Sequence, residues 1–269
     1  NNSDGTFTKI ESGDIVNDGV NSGSASWADY NNDGFVDLFV ANRNNQDNFL
    51  YENNGDGTFT KIESGDIVND GGPSYGASWA DYNNDGFIDL FVANYNNQNN
   101  FLYLNNGDGT FTKIESGDIV NDGGNSRGAS WADYNNDGFI DLFVANTSGN
   151  NFLYLNNGNS NAWVNIELEG TQVIGSKVSV KADILGTSTW RYNEISSQTG
   201  YGSQNSLNAE FGLGDATIID SIKVVWPTGE EQYLENQSVN QFITITFQIN
   251  GCTDSDAVNF NAEAALDDG

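Results

Sequence analysis

Asp29, Asn31, Asp33 and Asp37 stand at positions 1, 3, 5 and 9 of a short stretch, with Gly34 at position 6. Carboxylate and amide oxygens on alternate residues of a tight turn converge on one point. Gly34 permits the sharp bend, and the carbonyl of Phe35 at position 7 adds a fifth oxygen. A donor set made only of oxygen is hard-ligand chemistry, which selects Ca2+ over softer metals. The set recurs as Asp81, Asn83, Asp85, Phe87 and Asp89, and again as Asp133, Asn135, Asp137, Phe139 and Asp141. Three Ca2+ sites are therefore expected. An EF-hand needs Glu at position 12 and flanking helices. Position 12 is Val40, within an apolar run, so the loop is read instead as a bridge between two strands. The plainer reading is that Asp-Gly and Asn-Asp only make hairpin turns. Against it, each of the three copies places three carboxylates where they repel one another without a cation. Asn54 with Asp56, and Asn106 with Asp108, form a weaker second candidate, because the first ligand position is Glu52 in one copy and Leu104 in the other.

The elements that position these loops follow from a repeat. The segment opening at Trp27 returns at Trp79 and Trp131, a spacing of 52 residues each time (79 − 27 and 131 − 79). The units are 1–52, 53–104 and 105–155, the last one residue shorter in the loop 147–149, and the first two differ at nine positions. Those differences cluster in 20–24 and around Arg43 and Asp47, which are read as exposed loops. Within a unit, Thr6–Glu11, Ser24–Tyr30, Asp37–Asn42 and Asn48–Glu52 read as short strands rich in Phe, Ile, Val, Trp and Tyr. The Asn54-Gly55-Asp56-Gly57 run is a hairpin signal. Leu38-Phe39-Val40-Ala41 is apolar on both faces, as in a strand sandwiched between layers. Four strands per unit with no helical period predict one propeller-type blade per unit. Trp27, Trp79 and Trp131 are assigned to blade cores in preference to a sugar platform. Closed propellers use about 4–8 blades, so with three units either further blades lie upstream, or the stack is open, or another molecule covers the exposed faces.

Composition excludes several functions. The chain has 269 residues, with 38 Asp+Glu against 9 Lys+Arg, no His and a formal net charge of −29. Such a charge repels nucleic acid and anionic membrane surfaces. No apolar run approaches the ~18 residues of a membrane helix. One cysteine, Cys252, makes no internal disulfide framework. The absence of histidine removes zinc sites and most nucleophile–base pairs. Every repeated carboxylate is assigned to a loop and no singular Asp/Glu pair stands out, so the chain reads as non-catalytic.

The runs DYNNDGFVDLFVAN (29–42) and NFLYENNGDGTFTKIE (48–63) resemble the FG-GAP/VCBS repeat family of calcium-bound β-propeller blades. The resemblance covers 1–158 and implies that the five positions of each loop are the calcium ligands. Beyond 159, the runs Trp163–Leu168, Lys177–Ala182, Ile218–Trp226 and Phe242–Phe247 alternate as strands of a separate β-domain. Gly175-Ser-Lys-Val178, Gly200-Tyr-Gly-Ser-Gln204, Phe211-Gly-Leu-Gly214 and Trp226-Pro-Thr-Gly229 resemble the ASPIC/UnbV domain, which commonly follows FG-GAP repeats in secreted proteins. The tail 251–269 resembles a short module of secreted Bacteroidota proteins, without that module's second Cys. Sequons stand at Asn1, Asn146 and Asn236. The expected molecule is thus all-β: three blades in 1–158, a sandwich-like domain in 159–250 and an acidic tail in 251–269. Its expected role is a calcium-stabilised, non-catalytic extracellular or cell-surface scaffold or adhesin, self-associating head-to-tail into a fibre or binding a surface protein or glycan. The alternative is a calcium-dependent carbohydrate-binding module.

Overall fold

Strand pairing in this chain follows the order of its apolar runs. The computed structural model describes residues 4–248. Strands β1 (Ser22–Ala28), β2 (Asp37–Asn42), β3 (Phe49–Asn53) and β4 (Phe59–Ile62) form one antiparallel meander. Strands β5 (Ser74–Ala80), β6 (Asp89–Asn94), β7 (Phe101–Asn105) and β8 (Phe111–Lys113) form the next. The third sheet has three strands, β9 (Ser126–Ala132), β10 (Asp141–Asn146) and β11 (Phe152–Tyr154).

The observed blade is out of phase with the sequence unit. Thr6–Glu11, expected as a strand, forms none, and these residues lie exposed. Its repeat equivalent, β4, pairs with β3 of the unit before it, with Leu50 opposite Ile62 and Asn53 opposite Phe59. The ladder that holds β4 comes from β3 of the unit before it, so the strand state of this repeat position depends on a neighbouring unit and not on its own residues. By the same offset the third sheet lacks a fourth strand. Ser24–Tyr30 is also corrected: β1 ends at Ala28, which moves Asp29 and Tyr30 into the loop. Between β4 and β5 lies a single helical turn, α2 (Asp66–Asn69), repeated as α1 (Asp14–Asn17) and α3 (Asp118–Asn121). No helical periodicity announces it, since four residues are too few to show one.

The sheets stack through their inner strands β1, β5 and β9, with β2 and β6 packed behind them. β6 is buried along its whole length, being covered on both faces. Phe39, Leu50, Phe91 and Leu102 are at most 2% exposed, and burying each contributes about 1.5–3 kcal/mol. Trp79 and Trp131 are buried between neighbouring blades as expected, whereas Trp27 is 54% exposed. Trp27 is not core, because among the described residues no blade lies against it.

A β-sandwich follows. One sheet runs β15 (Ala209–Gly214), β12 (Ala162–Glu169), β18 (Gln241–Thr246). The other runs β14 (Thr187–Glu194), β13 (Lys177–Ile184), β16 (Ile218–Val225), β17 (Glu231–Ser238). Alternate side chains of both sheets, Val164, Ile166, Val180, Leu213, Ile219 and Ile222 among them, fill the core between. The alternating runs at 163–168, 177–182, 218–226 and 242–247 correspond to β12, β13, β16 and β18. β14, β15 and β17 were not foreseen, being more polar or interrupted by glycine. Cys252 and the tail 251–269, like the sequon at Asn1, lie outside the described residues.

Candidate metal centres

Each acidic loop is strung between the inner strand of a blade and the strand that follows. β1 delivers Asp29, and β2 opens on Asp37. Asn32 (φ 57°) and Gly34 (φ 94°) take the left-handed conformation, which lets the chain reverse within a few residues. The reversal aims backbone N–H groups at the acidic side chains. Asp29 Oδ1 accepts from Asp33 N at 3.0 Å and Asp29 Oδ2 from Gly34 N at 2.9 Å. Asp33 Oδ1 accepts from Phe35 N at 2.9 Å, and Asn31 Nδ2 donates to Asp33 Oδ2 at 3.0 Å. Asp37 is fully buried and accepts from Tyr30 N at 3.2 Å and Asn53 N at 2.8 Å. The second and third loops repeat these bonds from Asp81, Asn83, Asp85 and Asp89, and from Asp133, Asn135, Asp137 and Asp141. The rings of Phe35 and Phe87 lie against Gly55 and Gly107, where any side chain would collide with them. That packing is what the glycine of the Asn-Gly-Asp-Gly run serves. Asp56 and Asp108 accept from Thr58 and Thr110, and these exposed turns are closed by their own threonines.

The fold thus gathers each set of five residues into one loop. Burial raises Asp29 above the usual carboxylate range and lifts Asp37 to about 7. In the second loop burial, reinforced by the Asp85 charge, carries Asp81 to about 8, and burial with the Asp81 charge holds Asp89 well above its ordinary value. Asp141 is raised for the same reasons. None of the ion pairs among the described residues involves a loop carboxylate. Buried negative charge of this kind calls for a cation, and the all-oxygen donor set fits a hard one. The fit rests on donor type and charge. Among the described residues no group of three or more His, Cys, Asp or Glu side chains is gathered closely enough to hold a metal ion; the carboxylates point to backbone N–H groups instead.

The second loop has a feature that sequence reasoning missed. Arg191, on β14, is 8% exposed and reaches across to donate from Nε to the carbonyl of Gly86 at 2.5 Å. Its guanidinium lies 5.3 Å from the centre of the Phe87 ring, and its charge favours ionised Asp81 and Asp85. Gly212 packs so closely that a Cβ there would sit 2.0 Å from Asp81 Oδ2 and 2.3 Å from Asn84 Cα. Gly214 N donates to Asn84 O at 2.8 Å, and Asn159 and Asn161 both donate to Asn83 O. The Phe211-Gly-Leu-Gly214 marker is therefore the sandwich's docking edge on the second loop. The third loop receives the Trp163 ring against Gly138. Asp133 N also donates to Glu210 Oε1 at 3.4 Å. Between the first two loops and the sandwich a cleft of about 730 Å3 opens, with Trp27, Asn32, Asp81, Ile88, Glu194 and Phe211 on its walls.

Family comparison matches the FG-GAP-like repeat to residues 29–92 and 81–144, each match starting on the first aspartate of a loop. The ASPIC and UnbV family matches residues 168–250. Among curated proteins, cartilage acidic protein 1 of Homo sapiens is 25% identical over 249 residues, 86% of this chain and 37% of that protein. The protein of the same name from Mus musculus is 24% identical over 268 residues, 92% of this chain and 40% of that protein. The Xenopus tropicalis protein is 43% identical over 68 residues, 25% of this chain and 10% of that protein. The chain spans two fifths or less of the length of these animal relatives.

Proposed function

We propose that this chain, in which FG-GAP-like repeats precede an ASPIC and UnbV domain, is a non-catalytic extracellular scaffold or adhesion protein. Its acidic loops take Ca2+ as structural staples, and its blade faces join it to other molecules, copies of itself included. The carrying observation is the burial of acidic groups at the same point of each blade: Asp37, Asp89 and Asp141 are each at most 2% exposed and make no ion pair among the described residues. When bound, Ca2+ would supply the positive charge that lets these groups ionise. Asp29, Asn31, Asp33, the Phe35 carbonyl and Asp37 would hold it in the first loop, and their equivalents would hold it in the other two. Extracellular modules bind Ca2+ with Kd of about 10⁻⁴–10⁻³ M, which suits permanent occupancy outside a cell. The relatives' name, with its reference to cartilage and acidity, supports an exterior setting, as does this chain's charge of −29. Melting with and without a chelator, beside calorimetric titration of Ca2+, tests the reading. Three bound ions and a lower melting temperature after chelation are expected; unchanged melting overturns it.

One observation favours a second reading, a carbohydrate-binding module. Exposed Trp27 beside the amide of Asn32 and the carboxylate of Glu194 is the kind of wall a sugar ring stacks on. Glycan-array binding that is lost in Trp27→Ala would support it, and an empty array in calcium would end it.

A further inference from the structure

The blades contain their own template for what covers a blade face. The second blade sits on the first with Trp79 Nε1 donating to the Ser26 carbonyl at 3.4 Å. The Trp79 ring meets Phe39 nearly edge-on, at 6.2 Å and 87°. The third sits on the second in the same way: Trp131 Nε1 donates to the Ser78 carbonyl at 3.4 Å, and the ring meets Phe91 at 6.3 Å and 90°. Glycines let the inner strands close up. A Cβ on Gly23 would lie 2.7 Å from Ser74 O, and one on Gly76 would lie 2.3 Å from Arg127 O. The joint is thus a tryptophan from one blade laid on a phenylalanine of the blade before it, with the leucine of the next strand in the same buried cluster, and it occurs twice.

At the two ends of the stack the Trp, Phe and Leu side chains of that joint are exposed. Trp27, the equivalent of Trp79 and Trp131, is 54% exposed on the leading face. Phe143 and Leu153, the equivalents of Phe39 with Leu50 and of Phe91 with Leu102, are 43% and 58% exposed on the trailing face. The turn at Tyr201 covers Gly128 at the axial end of that face and leaves Phe143 and Leu153 open. Because the units are near copies, each bare half has the partner it lacks at the opposite end of the same chain.

We propose that a second copy of this chain docks head-to-tail, its Trp27 laid on Phe143 and Leu153 as Trp79 is laid on Phe39. This names the self-association surface of the scaffold reading and rests on that reading only in requiring folded blades. A heterologous contact of this kind closes a ring where its rotation allows and otherwise extends as a chain. Two copies bring six units, within the about 4–8 of known propellers. The net charge of −29 per copy opposes the encounter, so the contact strengthens as salt screens it.

The test is sedimentation of the chain in calcium across a range of concentration and salt, with Trp27→Ala and Phe143→Ala as single variants. The wild type is expected to associate with concentration, more strongly at higher salt. Each variant alone is expected to associate at least ~10-fold more weakly. Mixing the two variants restores one intact joint, between Trp27 of the Phe143→Ala copy and Phe143 of the Trp27→Ala copy, and so should give a 1:1 complex that grows no further. A wild type that stays monomeric while its melting remains calcium-dependent overturns the contact and leaves the scaffold reading standing. Variants that associate like the wild type, or a mixture that does not pair, also overturn it. Melting that ignores calcium while the variants still complement would sink the cation reading and leave the joint.

Discussion

The first and second acidic loops are written with the same residues from Asp29 to Asn42 and from Asp81 to Asn94, except that Val36 is replaced by Ile88. They nevertheless live in different surroundings. The cleft touches both, but the first leaves Asp33, Gly34 and Phe35 exposed and its Asn32 only partly covered. The second is enclosed: its Asn84 is 4% exposed, Gly212 presses on Asp81, and Arg191 brings a positive charge to Gly86 and Phe87. Local sequence determines the donor set, and the neighbour determines how easily that set can be reached and how much its charge costs.

The largest effect expected on this contrast comes from removing the cation. Three sites each filled to about ten times Kd would stabilise the fold by roughly 4 kcal/mol in all, so chelation should lower the melting temperature by on the order of 10 °C. The contrast sharpens if stopped-flow chelation shows the ion of the second loop leaving later than the ion of the first; simultaneous release from all loops would break it. Gly212→Ala should come next. Its Cβ meets backbone as well as a carboxylate, so a loss of about 1–3 kcal/mol is expected, whereas Gly19→Ala, with open space around it, should be nearly silent. Denaturant melts of the two variants side by side would check this.

Arg191→Met probes the charge itself. Without calcium it should destabilise by about 1–2 kcal/mol, because Asp81 and Asp85 lose the cation that offsets them and Gly86 loses its donor. With calcium the loss should shrink, since the guanidinium and the ion repel each other. Calorimetry should find tighter binding at one site only. Equal losses in both conditions would show that Arg191 serves packing alone.

The smallest effect concerns a second repeated contrast. Asp18 accepts from Tyr51 Oη at 2.6 Å and pairs with Lys61 at 2.7 Å; Asp70, Tyr103 and Lys113 repeat this, but Asp122 accepts from Tyr154 with no lysine paired to it among the described residues. The third blade lacks the fourth strand that would carry its lysine. The Lys61 and Tyr51 contacts hold the Asp18 pKa below its ordinary 3.8. A folded-state value below the unfolded one means that the contribution is fully present above pH 3.8 and fades as pH falls through the lowered value. Asp18→Asn should cost about 0.5–1 kcal/mol at pH 7, less in acid, and Asp122→Asn should cost less still. Thermal melts at pH 7 and pH 3 would decide.

Much of this was legible in the residues. The 52-residue period marks the units, and alternate carboxylates followed by glycine mark each loop, because the chemistry lies within nine consecutive residues. The phase of the blade was not legible. A periodic string has no intrinsic starting point, so only the pairing of Phe59–Ile62 back onto Phe49–Asn53 shows where a blade ends. The docking of Arg191 was also hidden, since it joins residues 105 positions apart with no shared period. Phe211-Gly-Leu-Gly214 could be seen as a family marker, but the backbone approach to Asp81 that requires its glycine is a tertiary fact.

The sequence by itself determined the β class, the repeat and the oxygen donors of the three loops, all set by short-range pattern and by the charge of individual side chains. Tertiary structure alone decided which loop is enclosed, which tryptophan is left bare and which blade goes without its fourth strand. The units are nearly the same chain written three times, so their differences come from position in the stack. A central blade has two neighbours, whereas each end blade has one and keeps Trp27 or Phe143 exposed on its outer face.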